Sequence, residues 1–203
     1  MAANGRVITG YSMPRVGLYN ESSGVISYTS GMALARGVSV QLTPDDAGDD
    51  NVFYADNQAA ERVAGTFNGG TITLTVDGLL DTARKLILGL PAATAVTVSG
   101  VGTVDMYTFD DSQDIPYVGV GWIVRYMKEG VTTYEPHVAM KCRFSNPSES
   151  AATQEEDIDW QTTELEATML RADDSGHSWF KVWAAQDSEA KALAILDDFL
   201  NVS

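Results

Sequence analysis

The run TITLTV, residues 71–76, alternates without a break, and this periodicity constrains the fold more than any other feature of the chain. Side chains two apart share one face of a strand, so Ile72, Leu74 and Val76 turn to a core while Thr71, Thr73 and Thr75 turn away. Threonine suits a pleated surface and tolerates either water or a neighbouring subunit. Gly69-Gly70 supplies a turn before the run. The stretch VSVQL, residues 38–42, alternates in the same way. Two longer β-rich stretches, IPYVGVGWIVRYM and VTTYEPHVAMKCRF, are separated by Lys128-Glu129-Gly130, the spacing of an antiparallel hairpin. Gly119, Gly121 and Pro136 within them imply an edge or a bulge. Alternation groups Met140, Cys142 and Phe144 on one side. In QTTELEATML, residues 161–170, Leu165, Ala167 and Met169 face one way and Glu164, Glu166 and Thr168 the other, which predicts a strand returning to the hairpin.

Helical spacing is confined to two places. Asp77 is placed to cap a helix over LLDTARKLIL, residues 79–88, in which Leu79, Leu80, Ala83, Leu86 and Ile87 recur, and Gly89 and Pro91 stop it. A terminal helix over about 187–200 starts at Asp187 or Ser188 and aligns Ala190, Leu193, Ala194, Leu196 and Leu200. Strands outnumber helices, and the two do not alternate regularly. The expected fold is mainly β (α+β): an antiparallel β-sandwich or split barrel with one or two flanking helices, a single domain over residues 1–203. Long loops are expected at about 44–57, 92–114 and 145–160, the second as a hairpin or projecting loop.

Charge bounds the partners. With 13 basic against 28 acidic residues, the formal charge of −15 repels phosphate, so tight binding to nucleic acid is disfavoured. Cys142 is the sole cysteine, which excludes an internal disulfide and favours an intracellular birthplace. The start lacks an apolar stretch of signal-peptide length, and no uncharged apolar run approaches the roughly 20 residues that span a bilayer, so a soluble product without a membrane anchor is expected.

Catalytic signatures are missing. No G-x-S-x-G, no G-x-x-x-x-G-K-[ST], and no G-x-G-x-x-G opening a helix occurs. His137 and His177 stand forty positions apart without a cysteine pair, and read as a strand or bend residue and a turn residue rather than zinc ligands. Cys142 reads as a buried apolar thiol. Asp45, Asp46, Asp49, Asp50 and Asp56 lack the spacing of a calcium loop, and read as solvated. Glu155 with Glu156, or Asp157 with Asp159, are adjacent acids of the kind common on loops as well as candidate glycosidase pairs. Trp160, Trp179, Trp183, Tyr117 and Tyr126 could stack on sugar rings or serve as core and subunit contacts. No cofactor or metal is expected, an enzyme is the remotest reading, and a carbohydrate-binding or adhesive β-sandwich is the alternative to the reading that follows.

The order of several phrases carries more than any single residue. YSMPRVGLYN with YTSGMALARGVSVQLTPD, FYADNQAAE, TITLTVDGLLDTARKLILGL and VAMKCRFSNPSESAATQEEDIDWQTTELEATML, closed by WFKVW, together resemble the major tail proteins (tail-tube proteins) of bacteriophages with long non-contractile tails. Residues 92–114 match that pattern poorly. The resemblance implies a structural, non-enzymatic virion protein, made in the host bacterial cytoplasm. It would self-assemble into stacked, hexameric rings whose bore conducts the genome at ejection without specific DNA binding. It also implies tape-measure and tail-terminator proteins as partners, with the loop bearing Asp45, Asp46, Asp49, Asp50, Phe53 and Tyr54 as a subunit contact. On that pattern the sheet containing TITLTV, or the long hairpin, lines the bore. Acidic side chains there would keep DNA from sticking, and they also keep free subunits soluble.

Overall fold

The computed structural model describes residues 5–46, 51–55, 58–63, 67–149, 153 and 161–202, with backbone alone for 46, 51–55 and 58–63. In chain order the elements are β1 (Val7–Ser22), β2 (Val25–Ala33), β3 (Gly37–Asp46), β4 (Asn51–Ala55), β5 (Gln58–Val63), β6 (Phe67–Val76), α1 (Asp81–Leu88), β7 (Thr94–Val98), β8 (Gly102–Met106), β9 (Val118–Lys128), β10 (Val131–Phe144), β11 (Thr163–Leu170), β12 (Phe180–Val182) and α2 (Glu189–Leu200). The fold is mainly antiparallel β with two helices. One sheet runs in the order β2-β1-β9-β10-β11-β6-β3, with β12 added beside β10. The hairpins β4–β5 and β7–β8 stand as separate two-stranded sheets.

The large sheet curls so that β3 comes back towards β1. The Leu34 N–H donates to the Pro14 carbonyl at 3.1 Å, and the Tyr11 ring lies so close over Gly37 that a Cβ there would meet it at 2.1 Å. Inside the curl, Val16, Ile72, Leu74, Val76, Val118, Val120, Trp122, Phe144, Leu165, Ala167 and Met169 form one continuous core. Ala83, Ile87 and Leu88 of α1 close it off. The alternation read from residues 71–76 and 161–170 is therefore obeyed, and the strand at 163–170 pairs with β10 on one side and β6 on the other.

A second, smaller core lies outside the curl, where α2 packs across β1, β2, β9 and β10. Ile123, Val138, Met140 and Tyr28 meet Ala192, Leu196 and Leu200 there. β9 is thus buried on both faces. Gly119 and Gly121 do not mark an edge: β9 is an interior strand, and a Cβ on Gly121 would lie 2.8 Å from Leu200 Cδ1. The glycines let the helix approach. The bulge sits on the partner strand, where the register slips between Ala139 and Cys142, opposite Gly119. That slip puts Met140 against α2 while Cys142 and Phe144 stay inside, so the three do not share a face. Pro136 fits the edge reading in part, because beyond it β10 meets only the short β12 and the segment whose Trp183 N–H donates to the Pro136 carbonyl at 3.0 Å.

Other boundaries shift for local reasons. Asp77 does not cap α1; the helix starts after Leu80, without a side-chain cap, and the Asp77 carboxylate accepts instead from the Arg36 N–H at 2.9 Å. Gly89 ends α1 in the left-handed region, φ 57°. Gly69-Gly70 is not a turn but part of β6, paired with Asp45 and Pro44. The loop expected at 44–57 is strand as far as Asp46 and again over β4, which pairs with β5. β7–β8 is the hairpin expected within 92–114. Residues 145–149 are irregular as expected, and most of 150–160 lies outside the described residues. Ser188 caps α2, its side chain accepting from the Lys191 N–H, but the buried stripe is Ala192, Leu196 and Leu200, while Ala190 and Ala194 are exposed.

Candidate assembly surface

Three features of the surface follow from this topology. The first is a bare face. α2 covers the outside of β1, β2, β9 and β10, whereas among the described residues no helix covers the outside of β3, β6 and β11. Register sets its side chains in rows: Ser39, Thr75 and Glu164; Gln41, Thr73 and Glu166; Thr43, Thr71 and Thr168. Each is exposed or half-buried. Ser39 Oγ donates to Thr75 Oγ1 at 2.9 Å. Hydroxyls, one amide and two carboxylates make up these rows, without a lysine, an arginine or an aromatic ring.

The second feature is the pair of margins. β2 and β3 end the sheet order, and each has backbone partners on one side only within it. The outer side of β2 is met by the end of α2, where the Gly31 N–H donates to the Asn201 carbonyl at 3.2 Å. Such margins can accept a strand from another chain.

The third is polarity along the strands. Following register across the sheet, Val118 of β9 lies level with Cys142, Met169 and Gly70. From that level the β9–β10 turn and the β4–β5 hairpin run towards one end, while α1, β7–β8 and the β1–β2 turn root at the other. Among the exposed large apolar residues whose side chains are described, all but Met13 and Val182 belong to one of these ends: Val7, Ile8, Met127 and Val131 to the first, and Val25, Val38, Leu80, Val98, Val101, Val104, Met106, Tyr107, Phe109 and Tyr117 to the second.

Asp45 and Asp46, two of the acids singled out from sequence, end β3, and Phe53 and Tyr54 lie in β4, on the hairpin that projects from that end. Asp49, Asp50 and Asp56 lie outside the described residues, as do Glu155, Glu156, Asp157, Asp159 and Trp160. His177 is a turn residue at φ 48°. Cys142 is fully buried, and burial pushes its thiol well above the ordinary value, away from nucleophile chemistry. Trp179 stacks on Phe67 at 4.4 Å, Trp183 meets Phe199 edge-on at 4.9 Å, and Tyr126 lies under the Arg6 guanidinium. Tyr117 is exposed beside Lys141 and Arg143. A cavity of about 390 Å³ lies between α1 and residues 146–149, lined by Arg84, Phe109 and Thr163 among others. Among the described residues no cluster of His, Cys, Asp and Glu could hold a metal, and no helix is long and apolar enough to cross a membrane.

One polar cluster is partly buried. Glu135 is buried, bonded by Arg6 at 2.6 Å and by His137 Nε2 at 3.0 Å, with Trp122 and Phe180 against the imidazole. Sequence reading misses Glu135, because its only signal is an acid at an inward position of a strand. Burial holds the His137 imidazole below its ordinary value of 6.5, against the opposing pull of Glu135. The unfolded chain, with the ordinary value, therefore takes up the proton first as pH falls. Stability should be full above 6.5 and decline below it until the folded imidazole also protonates. Urea midpoints measured across that range should show the slope, and His137→Gln should flatten it.

No protein-family model matches this sequence, and no curated protein aligns with it significantly.

Proposed function

We propose that this chain is a structural virion subunit, a major tail protein of a phage with a long non-contractile tail. Copies close into rings, the rings stack, and the genome passes through the bore. The observation that carries the reading is the bare β3-β6-β11 face. It projects serine, threonine, glutamine and glutamate and no cation, and it is the sheet that includes residues 71–76. The three strands themselves offer nothing to pair with phosphate; a cation stands only at the border of the face, where Arg143 of β10 pairs with Thr168. Every lysine or arginine these strands lack is a counterion-releasing contact that transiting DNA does not make. β2 and β3 are terminal in the sheet, met in part by the end of α2 and by the return towards β1, and the two ends of the molecule differ; both fit a subunit that meets copies of itself head to tail, a contact that closes into a ring or continues as a filament. Tape-measure and terminator proteins would meet the ends of such a tube, and assembled protein would reside in the tail after synthesis in the bacterial cytoplasm.

The test is direct. Purified protein brought to rising concentration should convert from monomer to hollow filaments of uniform width, seen by negative-stain microscopy and sedimentation velocity. A species that stays monomeric at millimolar concentration, or assembles into solid fibres without a bore, would overturn the reading.

A further inference from the structure

We propose that the β7–β8 hairpin is a docking element for a second copy of this chain, and that it seats on the opposite end of that copy, around the β9–β10 turn. The pairing of Val96 with Val104 and of Thr94 with Met106 gathers Val96, Val98, Val104 and Met106 on one face, while Asp105, Thr97 and Thr103 take the other. Nothing among the described residues covers the apolar face: every residue of the two strands is exposed except Val96, which is half-buried. Tyr107 and Phe109, which follow β8, are exposed as well. A lone two-stranded hairpin is marginal in water, and monomeric proteins rarely leave a continuous apolar patch bare. The feature is explained by a partner.

Charge selects which partner. From Leu86 to Val124 the chain has no lysine or arginine, yet it carries Asp105, Asp110, Asp111 and Asp114; Lys85, just outside, lies over the Tyr107 ring. The far end of the molecule offers the complement. Val7 pairs with Met127, and Val131 follows the turn, all three exposed; Arg125 and Lys128 lie beside them with Glu129 in the turn, while Arg6 is held by Glu135. Apolar groups meet apolar groups, and the acidic segment around β7–β8 meets Arg125 and Lys128, when the two copies lie head to tail. This contact rests on the reading of the chain as a stacking subunit and supplies its axial joint. Residues 92–114 are also the part of the chain that least resembles the tail-protein pattern, so the joint is a property of this chain.

The experiment uses two full-length variants, Val104→Cys and Val131→Cys, and a short bismaleimide linker; buried Cys142 stays silent. A mixture of the two should give cross-linked dimers. Each variant alone should remain uncoupled, and a chain with both cysteines should give a ladder on a denaturing gel. Val104→Asp with Met106→Asp should weaken self-association at least tenfold while leaving the urea midpoint unchanged. Coupling within Val104→Cys alone, or no coupling in assembled wild-type-like particles, would overturn the proposal. A ladder without hollow tubes would keep the joint and sink the tube; tubes of normal width from the Asp variant would sink the joint and keep the tube.

Discussion

Tubes assembled from a chain carrying Gln41→Lys, Thr73→Lys and Glu166→Lys are expected to trap duplex DNA that wild-type tubes leave free. The three positions form one row across β3, β6 and β11. Gln41 and Glu166 are exposed and Thr73 is half-buried, so the lysines cost little packing. Like charges directly opposite one another cost up to about 1 kcal/mol per pair, and the monomer should fold. The gain in affinity is of another size. A ligand making about 6–10 phosphate contacts loses roughly 10³–10⁵ in affinity between 50 and 200 mM salt, and a ring repeats each lysine once per subunit. Assembly in the presence of short duplexes should therefore yield nuclease-protected DNA at low salt, released as salt rises. Wild-type tubes should protect none. If the lysine tubes form normally and DNA remains nuclease-sensitive, the β3-β6-β11 face does not line a bore.

Part of that row is legible in the amino-acid sequence, because strict alternation assigns Thr73 and Glu166 to the side away from the core. What alternation cannot supply is that three strands far apart in sequence are neighbours, since pairing is a long-range choice. Where the period breaks, local reading fails. β1 is the longest strand and the least visible: its register slips between Ile8 and Gly10 and between Ser12 and Arg15, with Met13 at φ 54°. Each slip reverses the phase, so no window shows a clean period of two. The slip after Ala139 misplaces Met140 for the same reason. The cap and spacing of α2 reveal the helix and Leu196 and Leu200 of its buried stripe but not Ala192, because the hollow left by Gly17, Gly31, Gly119 and Gly121 chooses which residues enter. The β7–β8 hairpin is legible as a projection. Its bare apolar face is not, because valine in a β-prone run has the signature of core, and only the tertiary arrangement leaves it outside.

The same hollow makes Gly31 a position at which one substitution should be strongly destabilising. A Cβ there would lie 2.3 Å from the Leu200 carbonyl oxygen and 2.6 Å from that of Asn201, backbone atoms that no side-chain rotation can move. Gly31→Val must therefore push the end of α2 off the sheet, breaking the Gly31 N–H bond to Asn201 and uncovering Leu196 and Leu200. At about 1.5–3 kcal/mol for each large apolar side chain returned to water, the loss should be about 3–6 kcal/mol. The inner core shares only the sheet with α2, so the damage should be local at first: Trp183, which packs on Phe199, should shift its emission to the red, while far-ultraviolet signal from the strands persists. Removing α2 altogether provides the control. If the glycine acts only by admitting the helix, Gly31→Val should add almost nothing to a chain already lacking residues 189–203. A full additional loss in that background would mean that valine disrupts the β1–β2 pairing itself, where the register slips around Ser30 and Gly31.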